Sequence, residues 1–217
     1  MSQPNHTYQA ILIAGPTGSG KTPLGEALMN SNLWNNNFFH FDFGSELRYI
    51  SSNTLHTNDF TKKEIEFIHD VLHKNKLIEN EMFYIANKIF MSFISRIPVS
   101  LSDIIILNGL PRHIEQAQKV DLLVCIKGVI YLQCSSDTVL ARISYNSGGD
   151  RTYRNDDSIK EINNKLAIFQ NRTVPLFEYY AKKGIPIFTY KTNVNTKPDD
   201  IIEALENDHT SFLRSRQ

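Results

Sequence analysis

The chain carries no net charge: its 217 residues hold 23 lysines and arginines against 23 aspartates and glutamates. A balanced chain has no bulk attraction to nucleic acid or to an anionic membrane, so any phosphate affinity must come from local clusters. Cysteine is scarce. Cys125 and Cys134 are too few for a disulfide framework or a zinc site, and they read as reduced residues in or near the core of an intracellular protein. No run approaches the roughly 18 apolar residues of a membrane-spanning helix. The first eight residues are polar and lack an apolar targeting core. These absences predict a cytoplasmic protein that uses neither membrane nor nucleic acid as partner. Repeats and low-complexity tracts are also missing. The length suits one α/β domain, or one core with small inserted lobes.

What is present begins at residues 15–22. Gly15-Pro16-Thr17-Gly18-Ser19-Gly20-Lys21-Thr22 fits G-x-x-x-x-G-K-[ST] in full. The glycines let successive backbone N–H groups turn inward around phosphate oxygens. The lysine reaches the β- and γ-phosphates, and the threonine hydroxyl can ligate Mg²⁺. An apolar run, Gln9 to Ala14, precedes the motif, and Leu24 to Met29 reads as a helix start. A strand, this loop and a helix make the context in which the pattern binds a nucleotide.

Five short apolar runs predict a five-stranded parallel sheet: Gln9 to Ala14, Phe38 to Phe41, Asp103 to Leu107, Gly128 to Gln133 and Pro186 to Tyr190. Helix-like segments alternate with them, as expected when both faces of a parallel sheet are covered. Thr61 to Asn75 and Asn80 to Arg96 carry apolar stripes at helical spacing. Ser158 to Lys183 reads as a long helical stretch that Pro175 bends or splits, with Gly184 as its stop. Asp199 to Asn207 closes the fold. Two segments fall outside the sheet pattern. Residues 45–98 form a helical excursion between the second and third strands. Residues 143–155 are a polar insertion of the kind that serves as a lid or binding loop.

Phosphoryl transfer needs its reactants positioned and the charge of the moving group neutralised. Arginine suits this work because its planar fork pairs two phosphate oxygens and keeps its charge. Several of the arginines sit where loops leave the strands. Arg48 follows the second strand and Arg112 the third. Arg142, Arg151 and Arg154 bracket the insertion after the fourth. Open α/β sheets place their ligands at these carboxyl ends. The histidines show no metal-ligand spacing with a third group; His69 and His73 share a helix face without one. Trp34 reads as a packing anchor.

From the phosphate loop to Tyr190 the chain resembles the adenylate kinase family of nucleoside monophosphate kinases. Ile106-Leu107-Asn108-Gly109-Leu110-Pro111-Arg112, followed by Gln116-Ala117, is similar to that family's L-D-G-F-P-R and Q-A signature. Phe43-Gly44-Ser45-Glu46-Leu47-Arg48 is similar to its segment ending G-D-x-L-R. Arg154-Asn155-Asp156-Asp157 is similar to its R-x-D-D, and Thr173-Val174-Pro175-Leu176 with Tyr179-Tyr180 to its T-x-P-L-x-x-Y-Y. The resemblance implies a phosphate-loop NTPase fold acting as a monomer, with ATP, a nucleoside monophosphate and Mg²⁺. It implies that Gly15, Gly18, Ser19, Gly20, Lys21 and Thr22 bind the donor phosphates. Arg48, Gly109 and Arg112 would grip the acceptor, and Gln116 its base, favouring AMP. Arg142, Arg151, Arg154 and Lys165 would act on donor or transferring phosphates. Asp156 and Asp157 would set the lid, residues 143–155. Residues 45–98 would be the monophosphate lobe. Thr22 would hold Mg²⁺, directly or through water, with Asn108 beside it.

The departures are as specific as the likenesses. Asn108 stands where the family has an aspartate that helps order water around Mg²⁺. Lys165 replaces a phosphate-binding arginine and loses the bidentate fork. Asn146 occupies the place of another lid arginine. Phe43 replaces a threonine that touches the acceptor base, and Leu110 an aromatic residue. Pro23 has no N–H to offer the donor's phosphates. These changes set an alternative beside the kinase: a protein of the same fold that binds nucleotide with weak or no catalysis and serves recognition or regulation. A small-metabolite kinase on the same loop is a third reading, disfavoured by the adenylate-type acceptor motif.

Overall fold

The computed structural model describes residues 8–53, 59–74, 76–150 and 158–208. Five strands form one sheet: β1 (Tyr8–Ala14), β2 (Phe38–Asp42), β3 (Ile104–Asn108), β4 (Val124–Gln133) and β5 (Ile187–Lys191). Every pairing is parallel, and the order is β2-β3-β1-β4-β5. Every expected strand is there, with bounds shifted by one residue at most positions and by four at the start of β4. All five residues of β3 are buried, as befits a strand covered on both faces.

Side chains alternate between those faces. Ala10, Leu12, Ile105 and Leu107 belong to one apolar cluster. Ile11, Ile13, Ile104 and Ile106 belong to the other. The period of two in β1 and β3 thus feeds two cores at once. On the first face lie α4 (Phe83–Ser95), α5 (Ile114–Val120) and α8 (Pro175–Lys182). On the second lie α1 (Lys21–Met29) and α9 (Pro198–Asn207). Trp34 anchors this second face: its indole N–H donates to the Leu205 carbonyl at 3.3 Å.

The excursion between β2 and β3 contains α2 (Phe43–Ser52), α3 (Lys62–Lys74) and α4. Its last helix is a covering layer of the sheet, because Phe90 and Phe93 stack edge-on against Phe41 of β2 at 5.3 and 5.1 Å. After β4 comes α6 (Ser136–Ser144). The long stretch beyond residue 158 is indeed divided. It contains α7 (Ile159–Ile168), a π-helical segment Phe169–Thr173, and α8, whose first residue is Pro175. Proline fits there because the first-turn N–H groups have no helical partner to lose.

Two expectations need correction. Cys125 is exposed rather than near-core, and Cys134 is only half-buried, because Cys125 falls on an outward position of β4. The first helix begins at Lys21, three residues before the apolar periodicity does. Among the described residues no helix is long and apolar enough to cross a membrane.

Candidate active site

The phosphate loop leaves the carboxyl end of the central strand β1. Gly18 and Gly20 take φ values of 72° and 97°, a left-handed backbone in which side-chain-bearing residues are strained. Gly15 is needed for a different reason: a Cβ there would lie 2.6 Å from the Ser19 hydroxyl. Ser19 itself is buried, and its hydroxyl has no hydrogen-bond partner among the described residues. The Lys21 ammonium donates to the Pro16 carbonyl at 2.7 Å, folded back over its own loop. Pro23 sits in the first turn of α1, so the missing N–H leaves the helix intact.

Beside the loop, two strand ends meet. The parallel register of β2 and β3 pairs Asp42 with Asn108. The Thr22 hydroxyl donates to Asp42 Oδ2 at 2.6 Å. Asn108 Nδ2 donates to the same oxygen at 2.7 Å and lies 3.1 Å from Thr22 Oγ1. Asp42 Oδ1 accepts the Ser45 N–H at 2.9 Å and so caps α2. Burial alone would raise the Asp42 carboxyl. The Thr22 and Ser45 donors, with His40 and Arg48 nearby, outweigh it and hold the group below the usual carboxylate range. His40 is lowered by burial, against the pull of Asp42. Its ring rests on Gly25 of α1, where a Cβ would stand 2.3 Å from Nε2.

On the far side of this cluster a cleft of about 670 Å³ runs toward the helical excursion. Lys21, Thr22, Asp42, Arg48, Gly109, Arg112 and Lys165 all line it. Part of its wall is apolar, with Phe43, Leu47, Val71 and Ile78. The Arg48 guanidinium donates to Ser45 Oγ at 3.0 Å. Burial lowers the Arg112 guanidinium from its ordinary value, yet arginine starts so high that it stays charged. Gly109 turns the chain between Asn108 and Arg112 with φ 86°. Gln116 is buried, and both ends of its amide are engaged. Oε1 accepts the Arg112 backbone N–H at 2.7 Å, and Nε2 donates to the Ile78 carbonyl at 2.6 Å. One lone pair of Oε1 remains to accept from a ligand.

Arg142 lies elsewhere. It is 4% exposed, and its guanidinium ties the phosphate loop to the loop after β5. Nε donates to the Gly18 carbonyl at 3.0 Å, and Nη1 to the Asn193 carbonyl at 2.5 Å. Only Nη2 faces Gly20, 3.0 Å from where a Cβ would be. Asn146 ends α6 with φ 48°. Ser147 N–H closes onto the Arg142 carbonyl at 3.0 Å and Asn146 N–H onto that of Ile143 at 3.1 Å. This left-handed helix stop suits asparagine, which tolerates the conformation better than most residues. Arg151, Arg154, Asp156 and Asp157 lie outside the described residues. Among the described residues no group of three or more His, Cys, Asp or Glu gathers as a metal cluster.

Asp42 is the site residue that the sequence did not single out. Its signal was there: an aspartate closing an apolar run and opening a helix. Its proximity to Thr22 and Asn108 depends on strand register, which spacing does not give.

No family model matches the chain. Curated relatives do. The chain is 28% identical to an adenylate kinase of Buchnera aphidicola subsp. Cinara cedri, over 80% of this chain and 84% of that protein. It is 26% identical to an adenylate kinase of Prochlorococcus marinus, over 81% and 86%. It is 22% identical to UMP-CMP kinase 1 of Oryza sativa subsp. japonica, over 92% and 73%.

Proposed function

We infer that this chain, a distant relative of the adenylate kinase family, is a nucleoside monophosphate kinase. It moves the γ-phosphoryl group of ATP to an oxygen of an acceptor monophosphate, with AMP favoured, and leaves ADP and a nucleoside diphosphate. The bond from the γ-phosphorus to its bridging oxygen breaks as the bond to the acceptor oxygen forms. The observation that carries the reading is the single cleft in which Lys21, Thr22, Arg48, Arg112 and Lys165 converge. Cations from separate elements lining one cleft suit two phosphate chains held together, the positioning that phosphoryl transfer requires.

The shared lining of the cleft supports a division of roles. The loop amides and Lys21 cradle the donor phosphates. Arg48 and Arg112 grip the acceptor phosphate, and Gly109 lets the chain turn between strand and arginine. The apolar wall takes the acceptor base, with the free lone pair of Gln116 Oε1 accepting from an exocyclic amine. Helices α2 and α3 form the acceptor lobe. Arg142 serves first as a strut that fixes the phosphate loop. The Thr22 hydroxyl, with the Asp42 carboxylate beside it, fits a hard cation such as Mg²⁺, which when bound would neutralise charge on the β- and γ-phosphates. The relatives are kinases by name, and they do not favour the non-catalytic reading.

Lys21→Ala tests the donor half. Titration calorimetry should show ATP affinity lowered by about tenfold or more, the scale of a lost charge-assisted contact. Unchanged affinity would remove Lys21 from the site.

A further inference from the structure

In phosphate-loop enzymes the cation is held by the loop hydroxyl and a strand-end carboxylate. Here the strand end beside the loop carries an amide, Asn108. We propose that the carboxylate stands one strand over: Asp42, at the end of β2, orders the hydrated Mg²⁺ of the donor nucleotide, and Asn108 positions it. The inference rests on the kinase reading above and assigns that site a further residue.

Three observations carry it. The first is the hydroxyl of Thr22. A carboxylate can only accept, so the 2.6 Å contact aims the hydroxyl hydrogen at Asp42 Oδ2. Asn108 Nδ2 engages one oxygen lone pair at 3.1 Å. The other lone pair is left for a cation, since a hydroxyl has one hydrogen and two lone pairs. The second is the fit between amide and acid. Asn108 Nδ2 donates to Asp42 Oδ2 at 2.7 Å, a distance at which a second carboxylate would repel the first. With an acid at 42, an amide at 108 is the matching partner rather than a defect. The third is placement. Asp42, Thr22 and Lys21 line the same cleft, and the β2–β3 register sets Asp42 level with Asn108.

Asp42 also caps α2, and a cap alone would explain Oδ1. It would not explain why Oδ2 faces the loop hydroxyl. The two roles separate in Asp42→Asn, because asparagine caps a helix about as well as aspartate but carries no charge.

The test is calorimetric titration of ATP with and without Mg²⁺, run on the native protein, Asp42→Asn, Asn108→Asp and the double exchange. Unfolding curves are recorded alongside. The native protein should bind ATP more tightly with Mg²⁺. Asp42→Asn should keep its metal-free affinity and lose about tenfold or more of the metal-dependent gain. The double exchange, which returns one acid and one amide to the strand ends, should recover that gain. The assignment is overturned if Asp42→Asn keeps the full gain, if Asn108→Asp alone increases it, or if the double exchange stays as low as Asp42→Asn. Native protein that binds ATP without any metal-dependent gain overturns the Asp42 assignment and leaves the kinase reading standing. Native protein that binds no ATP overturns both. Should Asp42→Asn fail to fold, the comparison of the double exchange with Asn108→Asp decides.

Discussion

Asn108, at the end of β3, donates its side-chain amide to Asp42, at the end of β2, across 2.7 Å. Taken alone, Asn108 looks like the loss of an acid from a metal site. Paired with Asp42, it is half of an acid–amide couple that also holds the Thr22 hydroxyl.

Asn108→Asp therefore should not improve the protein. By the family resemblance alone it restores the aspartate that helps order water around Mg²⁺. In the structure it removes a donor from Asp42 and sets two carboxylates in contact. One of them must take a proton or the pair must separate. The expected outcome is a loss of roughly 1–3 kcal/mol in stability, with kcat unchanged or lower. Chemical denaturation and steady-state rates on the variant check this. A rise in both quantities would contradict the pairing.

Gly25→Ala probes the same cluster from behind. The new methyl would stand 2.3 Å from His40 Nε2, so the imidazole must shift or the helix must move off β2. Overpacking of this kind costs about 1–3 kcal/mol. Thermal unfolding should show the loss. A variant as stable as the native protein, with unshifted His40 resonances, would mean that the contact is loose.

Much of this was legible in the residues. The five strands are short apolar runs between polar segments, and β3 is apolar throughout because it is buried throughout. The phosphate loop announces itself by spacing. Helix α2 was harder to see, because Asp42 ends a strand and caps a helix with no linker between them. The part of α4 that covers Phe41 was equally hidden, since helical spacing reveals an apolar face but not its partner. Arg142 showed the same limit. Its position after β4 suggested a phosphate ligand, whereas the carbonyls of Gly18 and Asn193 come from loops distant in sequence.

Arg112→Ala should weaken the acceptor end. If the guanidinium meets the acceptor phosphate, its removal raises the acceptor KM by about tenfold or more. ATP affinity should move much less. Equal losses for both nucleotides would place Arg112 in the frame of the cleft instead.

Asp103 gives an acid-stability prediction away from the site. Burial alone would raise its carboxyl. The Ser100 N–H at 2.7 Å, the Ser100 hydroxyl at 2.8 Å and the Asn37 amide at 3.1 Å outweigh it and hold the carboxyl below the usual range. A depressed folded pKa contributes stability above the unfolded value, about 4, and loses it as pH falls through the folded value. Asp103→Asn should lower stability at neutral pH and flatten its decline below about pH 4. Parallel acid limbs for the two proteins would contradict this.

Phosphoryl transfer between two nucleotides in one cleft can be followed in a coupled assay. The native protein is given ATP and Mg²⁺ with each of AMP, UMP, CMP and GMP in turn, and diphosphate formation is followed. Steady turnover is expected, with AMP as the best acceptor. ATP binding without diphosphate formation from any of the four acceptors would contradict it.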